Sequence, residues 1–126
     1  LDKGSEAEAA NVVASLAHVH LMTGDVTAAE EEARHALSLL EARHDFLFDV
    51  APTQLVLGRA LMDQGRLDEA ETFLTASDAS AEQLESLSHR AAAWMAQGDL
   101  AARRGDDRTA ANLYRQAAEA LQDVRF

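Results

Sequence analysis

Five histidines, a serine three residues ahead of one of them, and runs of neighbouring carboxylates are the groups of this 126-residue chain that could do chemistry. Imidazoles with carboxylates make metal sites, and a hydroxyl beside an imidazole makes a nucleophile. His18 and His20 stand two apart, which on a helix turns them about 200° from each other. His35, His44 and His89 fall on other segments, and no His-Glu-x-x-His or comparable ligand spacing occurs. The histidines therefore read as surface or half-buried side chains, and no metal is expected. Ser86 and His89 can meet at i and i+3, and Asp45 follows His44. A nucleophile also needs an oriented base and an oxyanion site, and nothing else in the sequence supplies them. Glu30-Glu31-Glu32 and Asp68-Glu69-Glu71 read as solvated outer faces of helices. The glycines lack a phosphate-binding spacing, and the absence of cysteine removes thiol nucleophiles, thiolate ligands and disulfides. The reading is a non-enzyme without a cofactor.

The elements that carry these groups follow from composition. The chain has 27 alanines, one proline and only 5% aromatic residues, a mixture that enters helices at little cost and packs poorly on a pleated sheet. An all-α fold is expected, in a single domain spanning 1–126. Eleven basic residues against 22 acidic ones leave a net charge of −11, which opposes contact with nucleic acid or an anionic membrane surface. No apolar run approaches the roughly 20 residues of a spanning helix. A soluble, cytoplasmic chain whose partner is protein or peptide is expected. Its opening, Leu1-Asp2-Lys3-Gly4, matches neither a signal nor a transit peptide and reads as the start of a segment of a longer protein.

The chain repeats itself. Gly24, Gly65 and Gly105 are 41 and 40 residues apart, an alanine follows each by five (Ala29, Ala70, Ala110), and a very small residue precedes each by seven (Ala17, Gly58, Gly98). Helical periodicity on both sides of each glycine places helices at about 6–23, 26–43, 46–64, 67–77, 81–104 and 107–122. The repeat units are then about 6–43, 46–77 and 81–122. Ser5 with Glu8 and Ser80 with Gln83 fit capping boxes, and Asp25 and Asp106 suit helix N-caps. Pro52 starts the third helix near Asp49 or imposes an irregular turn at Phe46 to Phe48. The small residue before each glycine is expected to cross the alanine after it, bringing two backbones close.

Three units in register resemble the tetratricopeptide repeat. The resemblance rests on Trp94, Gly98, Gly105-Asp106, Ala110, Tyr114 and Ala117 in the third unit. Leu57-Gly58, Gly65, Ala70, Leu74 and Ser77 carry it in the second, and Leu16-Ala17, Gly24-Asp25, Ala29, Ala33 and Ala36 in the first. The period exceeds the family's roughly 34 residues, as in the long repeats of bacterial signalling regulators and kinesin-light-chain-type scaffolds. The resemblance implies an α-solenoid of three antiparallel helix pairs, a right-handed superhelix, with Trp94 packed in the core. It implies a protein-interaction module, the sensory or scaffold part of a larger regulator, with a structural self-assembly unit as the competing reading and a small-molecule sensor as a third. The concave face implied for a partner holds Asn11, Ser15, His18 and Met22, then Leu55, Arg59, Met62 and Asp63, then Met95, Asp99 and Arg103. All three methionines fall there, which suits an adaptable groove. The family's clamp for chaperone C-termini is missing, since the corresponding places hold Ala14, His18, Val56, Ala92 and Ala96. In the last helix Leu113, Ala117, Leu121 and Val124 form a second apolar stripe. That stripe predicts either a two-fold homodimer through the C-terminal helix or an array continuing past Phe126.

Overall fold

The computed structural model describes the backbone of residues 3–41 and 47–122 and the side chains of 8–41 and 49–122. Within these residues there are six helices and no strand: α1 (Lys3–Thr23), α2 (Val26–Glu41), α3 (Leu47–Asp63), α4 (Leu67–Gln83), α5 (Leu87–Arg103) and α6 (Asp107–Gln122). Each helix packs on its neighbours in sequence, most extensively within the pairs α1/α2, α3/α4 and α5/α6. The first helices also touch, α1 with α3 and α3 with α5, whereas the backbones of the second helices stay apart. The first helices are thus the inner layer of an all-α solenoid, and their free side is its concave face.

The turn inside each pair is the same device three times. Gly24, Gly65 and Gly105 have φ of 90°, 80° and 82°, a left-handed conformation that costs glycine little. The residue after each glycine donates its amide to a carbonyl five back, Asp25 to His20, Arg66 to Leu61 and Asp106 to Ala101, closing the spent helix. Asp25 Oδ1 then accepts from the Ala28 amide and Asp106 Oδ1 from that of Thr109, both at 3.2 Å, as expected of N-caps. Arg66 takes that place in the middle pair and makes no side-chain cap.

Two boundaries differ from expectation. Helix α4 continues to Gln83 and α5 begins at Leu87, so the Ala-Ser-Asp-Ala-Ser-Ala run is helical and Ser80 caps nothing. Its serines find partners across the pair: Ser77 Oγ donates to the Ala51 carbonyl at 2.7 Å and Ser80 Oγ to Gln54 Oε1 at 2.8 Å. Polar side chains satisfied in this way no longer compete with the helix. The break falls instead at Glu85, at φ 54°, and Ser86 caps α5 by accepting from the His89 amide. Ser5 likewise lies inside α1, which begins at Lys3, and not at its start. Pro52 sits in the second turn of α3, where Thr53 Oγ1 donates to the Asp49 carbonyl at 2.7 Å.

The core runs through the pairs. Ala17, Ala33, Leu37, Leu57, Leu61 and Leu74 belong to one buried cluster, and Ala91, Trp94, Ala117 and Ala120 to another near the C-terminal end. The close approach of paired helices is set by glycine, but its opposite number is not the alanine expected. A Cβ on Gly58 would lie 2.5 Å from Leu74 Cδ2, and one on Gly98 would lie 2.6 Å from Tyr114 Cε1. The notch therefore receives the large residue one turn beyond Ala70 or Ala110. Among the described residues no helix is long and apolar enough to cross a membrane.

Candidate functional site

The concave face divides into an open furrow and a closed seam. The furrow lies between α1 and α3. Asn11, Ser15, His18 and Met22 follow one another down α1 at helical spacing, all exposed, so they form one wall. Two neighbouring recesses share His18 and Val56 in their walls. One is walled by Asn11, Ala14 and Ser15 with Pro52 and Thr53, the other, of about 340 Å³, by Leu21, Met22, Leu55 and Arg59. The floor is apolar and the rim carries an amide, a hydroxyl and an imidazole. That is a surface able to bury apolar side chains while pairing with backbone amides.

The seam between α3 and α5 is bolted. Arg59 Nη1 lies 3.0 Å from Asp99 Oδ2, and Arg103 Nη2 lies 2.8 Å from Asp63 Oδ1. Arg103 also donates to the Met62 carbonyl at 3.0 Å, and the Tyr114 hydroxyl donates to Asp99 at 2.5 Å. That hydrogen bond, with burial and the charge of Asp99, pushes the Tyr114 phenol up from its ordinary value. The candidates Arg59, Asp63, Asp99 and Arg103 are thus brought together, but each is engaged with another. Met62 is only 2% exposed and belongs to the core, so only Met22 and Met95 present thioethers to solvent. The reason is that α3 is the central helix, packed by α1, α2, α4 and α5, so Met62 is enclosed in the same cluster as Leu57 and Leu61 although it points to a different side.

The carboxylate runs are not simply solvated. Glu30 accepts from Arg66 at 2.7 Å, Arg34 at 2.9 Å and Gln64 at 3.0 Å, joining α2 to the turn that follows α3. Burial pushes its carboxyl up, but the hydrogen bonds from Gln64, Arg34 and Arg66 outweigh this and hold it below the usual range. Glu69 also falls below that range, chiefly through its hydrogen bond from Arg66. Asp68 and Glu71 both reach Arg104. Gln64 and Arg104 each precede a turn glycine, and Glu30 and Glu71 each follow one by six, so Glu30–Gln64 and Glu71–Arg104 are the same contact in successive units. The periodicity already in the sequence was the signal that could have found it.

Of the remaining chemical candidates, His20 Nδ1 lies 2.6 Å from Glu32 Oε2, and His89 Nδ1 lies 2.6 Å from Ser86 Oγ, the hydroxyl that caps α5. Among the described residues no three His, Cys, Asp or Glu side chains gather to hold a metal ion; His44 and Asp45 lie outside those residues. Trp94 is buried, donates to Asp78 at 3.2 Å and lies under the Arg90 guanidinium, whose carbon is 4.8 Å from the ring centre. The C-terminal stripe is taken apart by packing. Ala117 is 1% exposed, Leu113 packs against its cluster, Leu121 alone is 42% exposed, and Val124 lies outside the described residues. The stripe was expected to face outward, but α6 rolls it onto Ala91 and Trp94.

Comparison with known proteins bears on the middle pair. The tetratricopeptide repeat family model matches residues 51–83. No curated protein and no solved structure matches the chain. The matched segment is most of α3, its glycine turn and all of α4. The chain therefore contains a tetratricopeptide repeat, formed by its central helix pair and flanked on each side by a pair built around the same turn.

Proposed function

We propose that this array is a non-catalytic protein-interaction module, the scaffold or sensory part of a larger regulator, that holds a segment of a partner protein in the furrow between α1 and α3. The observation that carries the reading is that two neighbouring recesses between α1 and α3 share His18 and Val56. An apolar floor of Ala14, Leu21, Leu55 and Val56 takes apolar side chains, and Asn11, Ser15 and His18 supply hydrogen bonds along the rim. Met22, 74% exposed and unbranched, is a wall that can repack around different residues. Arg59 and Arg103 lend the site shape through their ion pairs, so their replacement by glutamate would set like charges together and is a poor probe of binding.

The test is selection of peptides from a displayed library against the folded chain, followed by affinity measurement on Ser15→Arg. Ser15 is exposed on α1, so the variant keeps its helical circular dichroism while its new side chain fills the furrow. A loss of roughly tenfold or more in affinity is expected, equivalent to about 1.4 kcal/mol. Selected peptides that bind Ser15→Arg and the parent equally would place the interface elsewhere.

A further inference from the structure

The outer side of α1 carries the longest exposed apolar line among the described residues. Val12, Leu16 and Val19, at i, i+4 and i+7, are 59%, 44% and 53% exposed. The same register positions in α3 are Thr53, Leu57 and Ala60, all buried. At the end of that line Gln64 donates to the Val26 carbonyl and to Glu30, and in α5 the equivalent Arg104 reaches Asp68 and Glu71. On α3 and α5, then, this side receives an antiparallel helix from the preceding pair. On α1 nothing among the described residues covers it.

Charge narrows the occupant. Between Ala9 and Thr23 there is no Asp, Glu, Lys or Arg, in a chain of net charge −11. The place of Gln64 and Arg104 is taken by Thr23, so an acidic helix like α2 or α4 would find no cation to grip. The outward side of α6 offers Ala111, Arg115, Ala118 and Gln122, all exposed, which would set an arginine and an amide against valine and leucine. Of the other exposed large apolar side chains, Met22 belongs to the furrow wall of α1, and Leu87, Met95, Tyr114 and Leu121 are dispersed over α5 and α6. The uncharged apolar line that matches α1 on this molecule is α1 itself.

We propose that this chain forms a two-fold dimer through α1, with Leu16 against Leu16 of the second copy and Val12 against Val19. A two-fold axis across the helix makes the two copies of α1 antiparallel, the direction in which α2 lies on α3, and it is self-complementary, so the assembly closes at two. The dimer line adjoins the furrow, since Val19 also lines one of its recesses and Asn11 and Ser15 border Val12 and Leu16, but Leu16 itself lies outside the furrow between α1 and α3.

Sedimentation velocity from micromolar to millimolar concentration tests it. The parent should pass from monomer to dimer, Leu16→Glu should weaken the dimer by roughly tenfold or more, and Leu121→Glu should leave it unchanged. Because the chain has no cysteine, Leu16→Cys carries a single thiol that should oxidise to a disulfide-linked dimer, whereas Leu121→Cys should remain uncoupled. A parent that stays monomeric throughout would overturn the proposal and assign the line to a foreign helix. A dimer that survives Leu16→Glu, or that couples through residue 121 and not 16, would overturn it equally. Circular dichroism of Leu16→Glu checks that the fold is retained.

Discussion

The first and second helix pairs cross at the same register point with different residues. In the second pair Gly58 opens a notch that Leu74 fills, and Leu74 is fully buried. In the first pair the same two positions are Ala17 and Ala33, both fully buried, small against small. A leucine against glycine brings four side-chain carbons to the crossing and an alanine against alanine only two, so the two pairs fill the same register point differently. What the repeat preserves is a very small residue on the first helix, Ala17, Gly58 or Gly98, while the residue opposite it ranges from Ala33 to Leu74 and Tyr114.

The largest effect should come from emptying the notch. Leu74→Ala removes a fully buried side chain facing a glycine and should cost about 2–5 kcal/mol by leaving a cavity, read as a fall in the urea midpoint at unchanged slope. Gly58→Ala should follow, because its Cβ meets Leu74 at 2.5 Å. Overpacking of about 1–3 kcal/mol there exceeds the roughly 1 kcal/mol that alanine gains over glycine in a helix. The double variant Gly58→Ala with Leu74→Ala recreates the first pair's crossing inside the second. It should lose less than the two single losses added together, and strict additivity would show that the two positions do not share one space.

The smallest expected effect concerns a polar difference between the same two pairs. Where the second pair has Leu61 and Phe73, the first has His20 and Glu32 in contact. The hydrogen bond to Glu32 raises the His20 pKa, against a smaller desolvation effect, with the charges of Glu32 and Asp25 adding to the rise. A raised folded-state value stabilises the fold fully below the ordinary histidine pKa and is lost as pH rises through the raised one. The first pair should therefore loosen on going from mildly acidic to mildly alkaline solution, while the second pair does not. Amide protection factors, which remove the intrinsic rise of exchange with pH, should fall across that range in α1 and α2 first. An equal fall in α3 and α4, or a difference between the pairs that survives Glu32→Gln, would remove His20 as the cause.

The fold was legible because the glycine turn is a short-range device: a left-handed residue and a capping aspartate are visible as letters, and three copies fix the register. The limits of α4 and α5 were not legible because Ser77 and Ser80 look like loop residues until Ala51 and Gln54 on another helix are there to receive them. The candidate face was partly legible. Helical spacing places Asn11, Ser15, His18 and Met22 on one wall, but it does not reveal that Arg59 and Arg103 are consumed by Asp99 and Asp63, since that depends on how far α5 is swung toward α3. The C-terminal stripe failed for a related reason: a helical wheel shows which residues share a side but not which way the helix is rolled, and Ala117 is turned inward.

The ladder between α3 and α5 has a mechanical consequence. Its rungs, Arg59–Asp99 and Arg103–Asp63, are between 31% and 47% exposed, so ions in solution reach them and screen them. Between α1 and α3 the furrow is lined mainly by apolar surface, which salt does not weaken in this way. The inner layer then has two unlike seams: rising ionic strength loosens the rungs between α3 and α5, while the apolar contact between α1 and α3 is not weakened in this way.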